Sequence, residues 1–166
     1  MEKNKIAQLP EFLFRNEADV LYGDPVTGTP QNVSFEREIA DLADEMITST
    51  TALFDDAGVL LDYSEESLED LERLATQLWP NPIEEQEALD ALLSNWGAYL
   101  GQAILENLGG EWTFRKDLEH ASVHFPRTGL EAFPFHKMRK RLALGAEDSM
   151  VDFYEAIVEE LTQDQI

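Results

Sequence analysis

The chain has 166 residues, 43% of them apolar, which suits one domain with a continuous core and no need of covalent staples. It has no cysteine, which excludes disulfides, thiol nucleophiles, thiolate metal sites and thiol redox switches, and makes a reducing, cytoplasmic setting the expectation. With 34 acidic and 12 basic residues the net charge is −22, a field that repels nucleic-acid phosphates and anionic lipid, so direct duplex binding is not expected.

No window approaches the roughly 18 uncharged apolar residues of a bilayer-spanning helix. The first ten residues lack the apolar run of an export signal, so neither membrane nor export is expected. The charge is unevenly distributed. Residues 34–110 hold 18 acidic and 2 basic side chains (−16), 111–144 hold 4 and 7 (+3), and 145–166 hold 7 and 0 (−7).

Residues 1–33 alternate apolar pieces with Pro10, Gly23-Asp24-Pro25 and Thr27-Gly28-Thr29-Pro30, which predicts an extended arm lying on the core. From Ser34 as N-cap, the spacing of Phe35, Ile39, Leu42, Met46 and Leu53 predicts a helix to about Phe54. Val59 to Tyr63, short and apolar, reads as a strand. Ser64 caps a second helix with Leu68, Leu71, Leu74, Ala75 and Leu78 inward. Trp79-Pro80-Asn81-Pro82 separates it from a third, with Asn81 as cap and Pro82 in first position.

The third helix runs to about Leu108 and is apolar around most of its circumference. Only Glu84, Ala91, Asn95, Ala98, Gln102 and Glu106 form a narrow strip for water, so this is the expected central helix, ended by Gly109-Gly110. Glu111–Arg115 and Ala121–Phe125 then read as an antiparallel hairpin connected by 116–120, and Leu130–Phe133 as a short third strand. A basic helix headed by Pro134 runs to Leu144, and an acidic one with Met150, Val151, Tyr154, Ile157, Val158 and Leu161 inward closes the chain. The fold class is α+β: a single helix-rich domain over residues 1–166, its central buried helix packed with a small antiparallel sheet.

Gly97-x-Tyr99-x-Gly101, Gly109-Gly110-x-Trp112 and Phe133-Pro134-Phe135 leading a basic helix resemble motifs of a group of small bacterial domains without established activity. The resemblance spans about residues 60–155. It implies a bacterial intracellular protein and an α+β fold, and it contributes no catalytic residue.

Four constellations have chemical content. Gly97 and Gly101 share a helix face with Asp90 and Ser94, beside Tyr99 and Gln102; the bare face is either a small ligand cleft or the close-packing seat of another element. His120 and His124, placed on one side of a strand, would form a metal site with Asp117 or His136. Alternate strand positions separate them too far for easy chelation, so hydrogen-bonded, partly exposed histidines are the expectation and no metal or cofactor is assigned. The run His136-Lys137-Met138-Arg139-Lys140-Arg141 would grip a phosphate, nucleic acid or an acidic partner, or else answer the protein's own carboxylates. The acidic helix faces suit either ordinary solvation, a high-salt habitat or mimicry of nucleic acid.

No metalloprotease, nucleophile-elbow, phosphate-loop or dinucleotide motif is present. The expectation is therefore a non-enzymatic interaction module, an immunity-like or regulatory antagonist of a protein with a basic surface. The alternatives are a ligand-binding or enzymatic domain using the Gly97/Gly101 groove, and a nucleic-acid mimic. Gly97, Tyr99, Gly101, Gln102, His124, His136, Arg139 and Arg141 are the candidate groove or interaction residues.

Overall fold

A helix that is apolar around nearly its whole girth has to be covered on several sides, and the segment ending at Leu108 is so covered. The computed structural model describes residues 12–15, 17–26, 29–54 and 60–163. In chain order the elements are β1 (Leu13–Arg15), α1 (Ala18–Tyr22), α2 (Thr29–Phe54), α3 (Glu65–Leu78), α4 (Gln86–Leu108), β2 (Glu111–Thr113), a 3-10 turn (Leu118–His120), β3 (Ser122–Phe125), β4 (Leu130–Ala132), α5 (Pro134–Leu144) and α6 (Met150–Gln163). The fold is α+β.

The central helix α4 lies chiefly against α5 and α2, while α3 packs on α6. Leu100, Ala103 and Ile104 are fully buried in it. The strands form one antiparallel sheet in the order β1-β4-β3-β2. Register sets Trp112 opposite Val123, Phe125 opposite Leu130 and Leu13 opposite Ala132.

Several expectations are corrected. Where it is described, the N-terminal segment is not extended throughout: β1 adds an edge strand to β4, but the short helix α1 follows it. Ile6, Leu9 and Pro10 lie outside the described residues. The first long helix begins at Thr29, not Ser34, because Pro30 in the first turn has no N–H that the helix would need. Leu60 to Tyr63 make no strand; Val59 lies outside the described residues, as does the side chain of Leu53.

Glu85, not Asn81, precedes the first residue of α4, so Pro82 stands outside the helix. The Ile83 N–H donates to the Leu142 carbonyl at 2.9 Å, pinning the 79–85 connection to the end of α5. Ala98, expected to face water, is fully buried, since α4 is covered on that side as well. Leu78, expected inward, is 38% exposed at the end of α3. Strand pairing ends at Thr113 and Ala132, and His120 belongs to the 3-10 turn.

Neighbouring elements approach closely where α4 has no side chains. A Cβ on Gly97 would stand 2.6 Å from Phe135 Cδ1 and 3.1 Å from Phe135 Cα, and one on Gly101 would overlap the Trp112 indole. Helix propensity alone favours alanine at such positions by about 1 kcal/mol, so the glycines are kept by contact. Gly97→Ala is expected to lower unfolding stability by about 1–3 kcal/mol through overpacking, read as a reduced urea midpoint at unchanged slope.

Candidate functional site

α5 starts directly after β4, with Pro134 in its first turn, where a missing N–H costs nothing. That start seats Phe135 on Gly97, while Trp112 from β2 and Pro134 cover Gly101. The glycine end of the expected groove is thus closed by aromatic side chains. Gln102 accepts a hydrogen bond from Trp112 Nε1 at 3.1 Å and so holds the indole over Gly101.

Tyr99 is fully buried. Its hydroxyl accepts from the Tyr63 backbone N–H (2.9 Å) and lies 2.7 Å from Ser67 Oγ. Ser67 gives its own proton to the Ser64 carbonyl, so Tyr99 donates to Ser67. The two tyrosine rings stack with centroids 4.8 Å apart, and Asn107 Nδ2 donates to the Tyr63 carbonyl. These bonds hold Tyr63 at φ 65°, a left-handed conformation unusual for a bulky residue. Tyr99→Phe should cost about 1–3 kcal/mol, because Tyr63 N–H and Ser67 lose their buried partner; chemical denaturation and amide exchange at Tyr63 would register it.

Toward the start of α4 the same face opens into a depression of about 270 Å³. Gln86, Asp90 and Ser94 line one side, and Glu119 and Arg139 the other. Arg139 Nε donates to Glu119 Oε1 at 2.7 Å, and Nη2 donates to Glu119 Oε2 at 3.1 Å and Asp90 Oδ1 at 3.4 Å. The Glu119 bonds raise the guanidinium pKa above its ordinary value against the opposing effect of burial.

One turn earlier on α5, His136 lies 5.0 Å from His120 and 5.2 Å from Tyr22, ring centre to ring centre, and stacks on Phe12 at 5.6 Å. His120 Nδ1 is 2.5 Å from Asp117 Oδ1, the oxygen that also caps the 3-10 turn by accepting from the His120 N–H. The histidine pair is therefore His120 and His136. His124 stands on β3 opposite Glu111, with Nδ1 3.5 Å from its carboxylate. Among the described residues, no group of three or more histidine, aspartate or glutamate side chains is placed to hold a metal.

His136 Nε2 is buried and has no hydrogen-bond partner among the described residues. Burial lowers the proton affinity of this imidazole; His120 and Arg139 act in the same direction, and Glu119 and Asp117 oppose them. A depressed histidine pKa means that the unfolded chain takes up the proton first, so stability is lost as pH falls below about 6.5 toward the folded-state value. His136→Phe keeps the ring stacking and removes that proton. Between pH 6.5 and 5 the melting temperature of the parent chain should fall relative to this variant, and parallel curves would contradict it.

The remaining cations of α5 turn elsewhere. Arg141, 1% exposed, donates from Nε to Glu72 Oε2 (2.7 Å) and from Nη2 to Thr76. Glu72 Oε1 also accepts the N–H of Met150 and so fixes the start of α6. Lys137 and Lys140 both reach Asp148, at 3.6 and 3.7 Å. The basic run thus answers the protein's own carboxylates.

Sequence reasoning missed Arg115, which is 1% exposed. It pairs with Glu131 at 3.1 Å and with Asp19, and donates to the Gly23 carbonyl at 2.7 Å. Burial opposes its charge, but the bonds it donates to Glu131 and Asp19 outweigh it and raise the pKa. The detectable signal was Ser122 and Glu131, polar residues within otherwise apolar strands.

Comparison with protein-family models, curated proteins and solved structures finds no match. Gly97, Gly101 and Trp112, among the residues on which the expected resemblance rested, are engaged in packing.

Proposed function

We propose that this chain is a non-enzymatic interaction protein, an acidic antagonist or regulator of a protein with a basic surface. The observation that carries this reading is the placement of charge. The four cations of α5 are held in ion pairs with Asp148, Glu119, Asp90 and Glu72, so they do not offset the exposed carboxylates elsewhere. On α2, Glu36, Glu38, Asp41, Asp44 and Glu45 are all exposed, with Arg37 among them. Exposed acids continue on α3 (Glu65, Glu66, Glu69) and α6 (Asp152, Glu155, Glu159).

A predominantly negative surface of this kind accelerates encounter with an oppositely charged protein and rejects acidic ones. Its effect is screened over about 10 Å at 0.1 M salt. No helix among the described residues is long and apolar enough to cross a membrane.

Glu38, Asp41 and Glu45 follow helical spacing along one face of α2. In affinity capture from the cells that make the protein, the triple variant Glu38→Gln, Asp41→Asn, Glu45→Gln should lose a basic protein that the parent retains at about 50 mM salt. About 300 mM salt should release it too. Retention indifferent to both salt and variant would remove the electrostatic reading.

A further inference from the structure

The depression between α4, the 3-10 turn and α5 is unbalanced in charge. Its lining sets the carboxylates of Asp90 and Glu119 against one guanidinium, Arg139, which both already engage. The Gln86 amide donates to Asp90 Oδ1 at 2.7 Å, and the Ser94 hydroxyl donates to the Asp90 carbonyl at 2.9 Å. Engaged in this way, these groups retain acceptors: the second Asp90 oxygen, the Gln86 side-chain carbonyl and the Ser94 lone pairs. An anion entering here would meet two carboxylates; a donor-rich cation would balance them. Leu93, Leu118 and Phe135 supply the apolar part of the wall, against which methylene groups can lie while the charged head stays near the rim.

We propose that this depression binds an ammonium or guanidinium group carried on an aliphatic stem, whether a free diamine or the lysine or arginine side chain of a protein. The site requires none of the α2 carboxylates, so it stands apart from the acidic-surface reading and can succeed where that reading fails.

The test is a backbone-amide NMR titration of the full chain at low salt with pentane-1,5-diamine, Nα-acetyl-lysine amide and pentan-1-ol. Saturable shifts confined to residues 86–94 and 118–120, produced by a cation and not by the alcohol, are expected. Asp90→Asn should weaken that binding about tenfold, and Glu119→Gln provides a second variant should the first disturb the helix. Saturation by the diamine alone assigns the site to free amines, and saturation by the capped lysine assigns it to a protein side chain. Absence of saturable binding overturns the proposal, as do equal binding of pentan-1-ol, shifts spread along α2 and α3, or affinity unchanged in both variants. Diamine binding that persists in the α2 triple variant separates this site from partner capture.

Discussion

The absence of side chains at two positions on α4 governs the layout. At Gly97 the obstacle to a Cβ includes the Phe135 backbone as well as its ring, so the two helices approach more closely there than any other residue would allow. Trp112 is wedged at Gly101 in the same way and is oriented by Gln102. Together they fix where β2 leaves α4 and where α5 begins. The direction of α5 follows, and with it the fate of its charges. Residues three apart on a helix share a face and residues two apart do not, so His136 and Arg139 meet the 3-10 turn while Arg141 is turned to α3.

Buried cations tie the periphery to this centre. Arg115 links α1 and the Gly23 carbonyl to β4 through Glu131, and Arg141 links α3 to the start of α6 through Glu72. Such pairs add little net stability, because desolvation offsets much of their attraction. Removing one partner is nevertheless costly, since it leaves the other charge buried alone. Their structural consequence is geometric: each guanidinium accepts only one arrangement of the segments that surround it.

The long periodic segments were legible because an amphipathic stripe records which face is covered. That suffices for α3 and α6; α5 was legible from Pro134 at its head and its basic run, and the hairpin of β2 and β3 from a change of period towards two. Such reading fails where a third body intervenes. Ala98 reads as a water-facing residue until that side of α4 is seen to be covered too, and Leu60 to Tyr63 read as a strand although, among the described residues, no strand pairs with them. The left-handed Tyr63 depends on Tyr99 and Asn107, thirty-six and forty-four positions away. The bare glycine face was visible in the spacing, but which half of it is filled depends on where α5 crosses. Block sums of charge likewise located the basic island without revealing that its cations are consumed internally.

That internal consumption bears on why the chain is so acidic. The carboxylates that partner the most deeply buried cations are Asp19, Glu131, Glu72 and Asp148, a small part of the 34 acidic residues. The exposed acids of α2 contribute nothing to burial and repel one another, which weakens a compact state. A fold already closed by glycine contacts and an apolar centre does not require them. Their concentration along α2, with Arg37 among them, is the feature on which the proposed reading as an interaction surface rests.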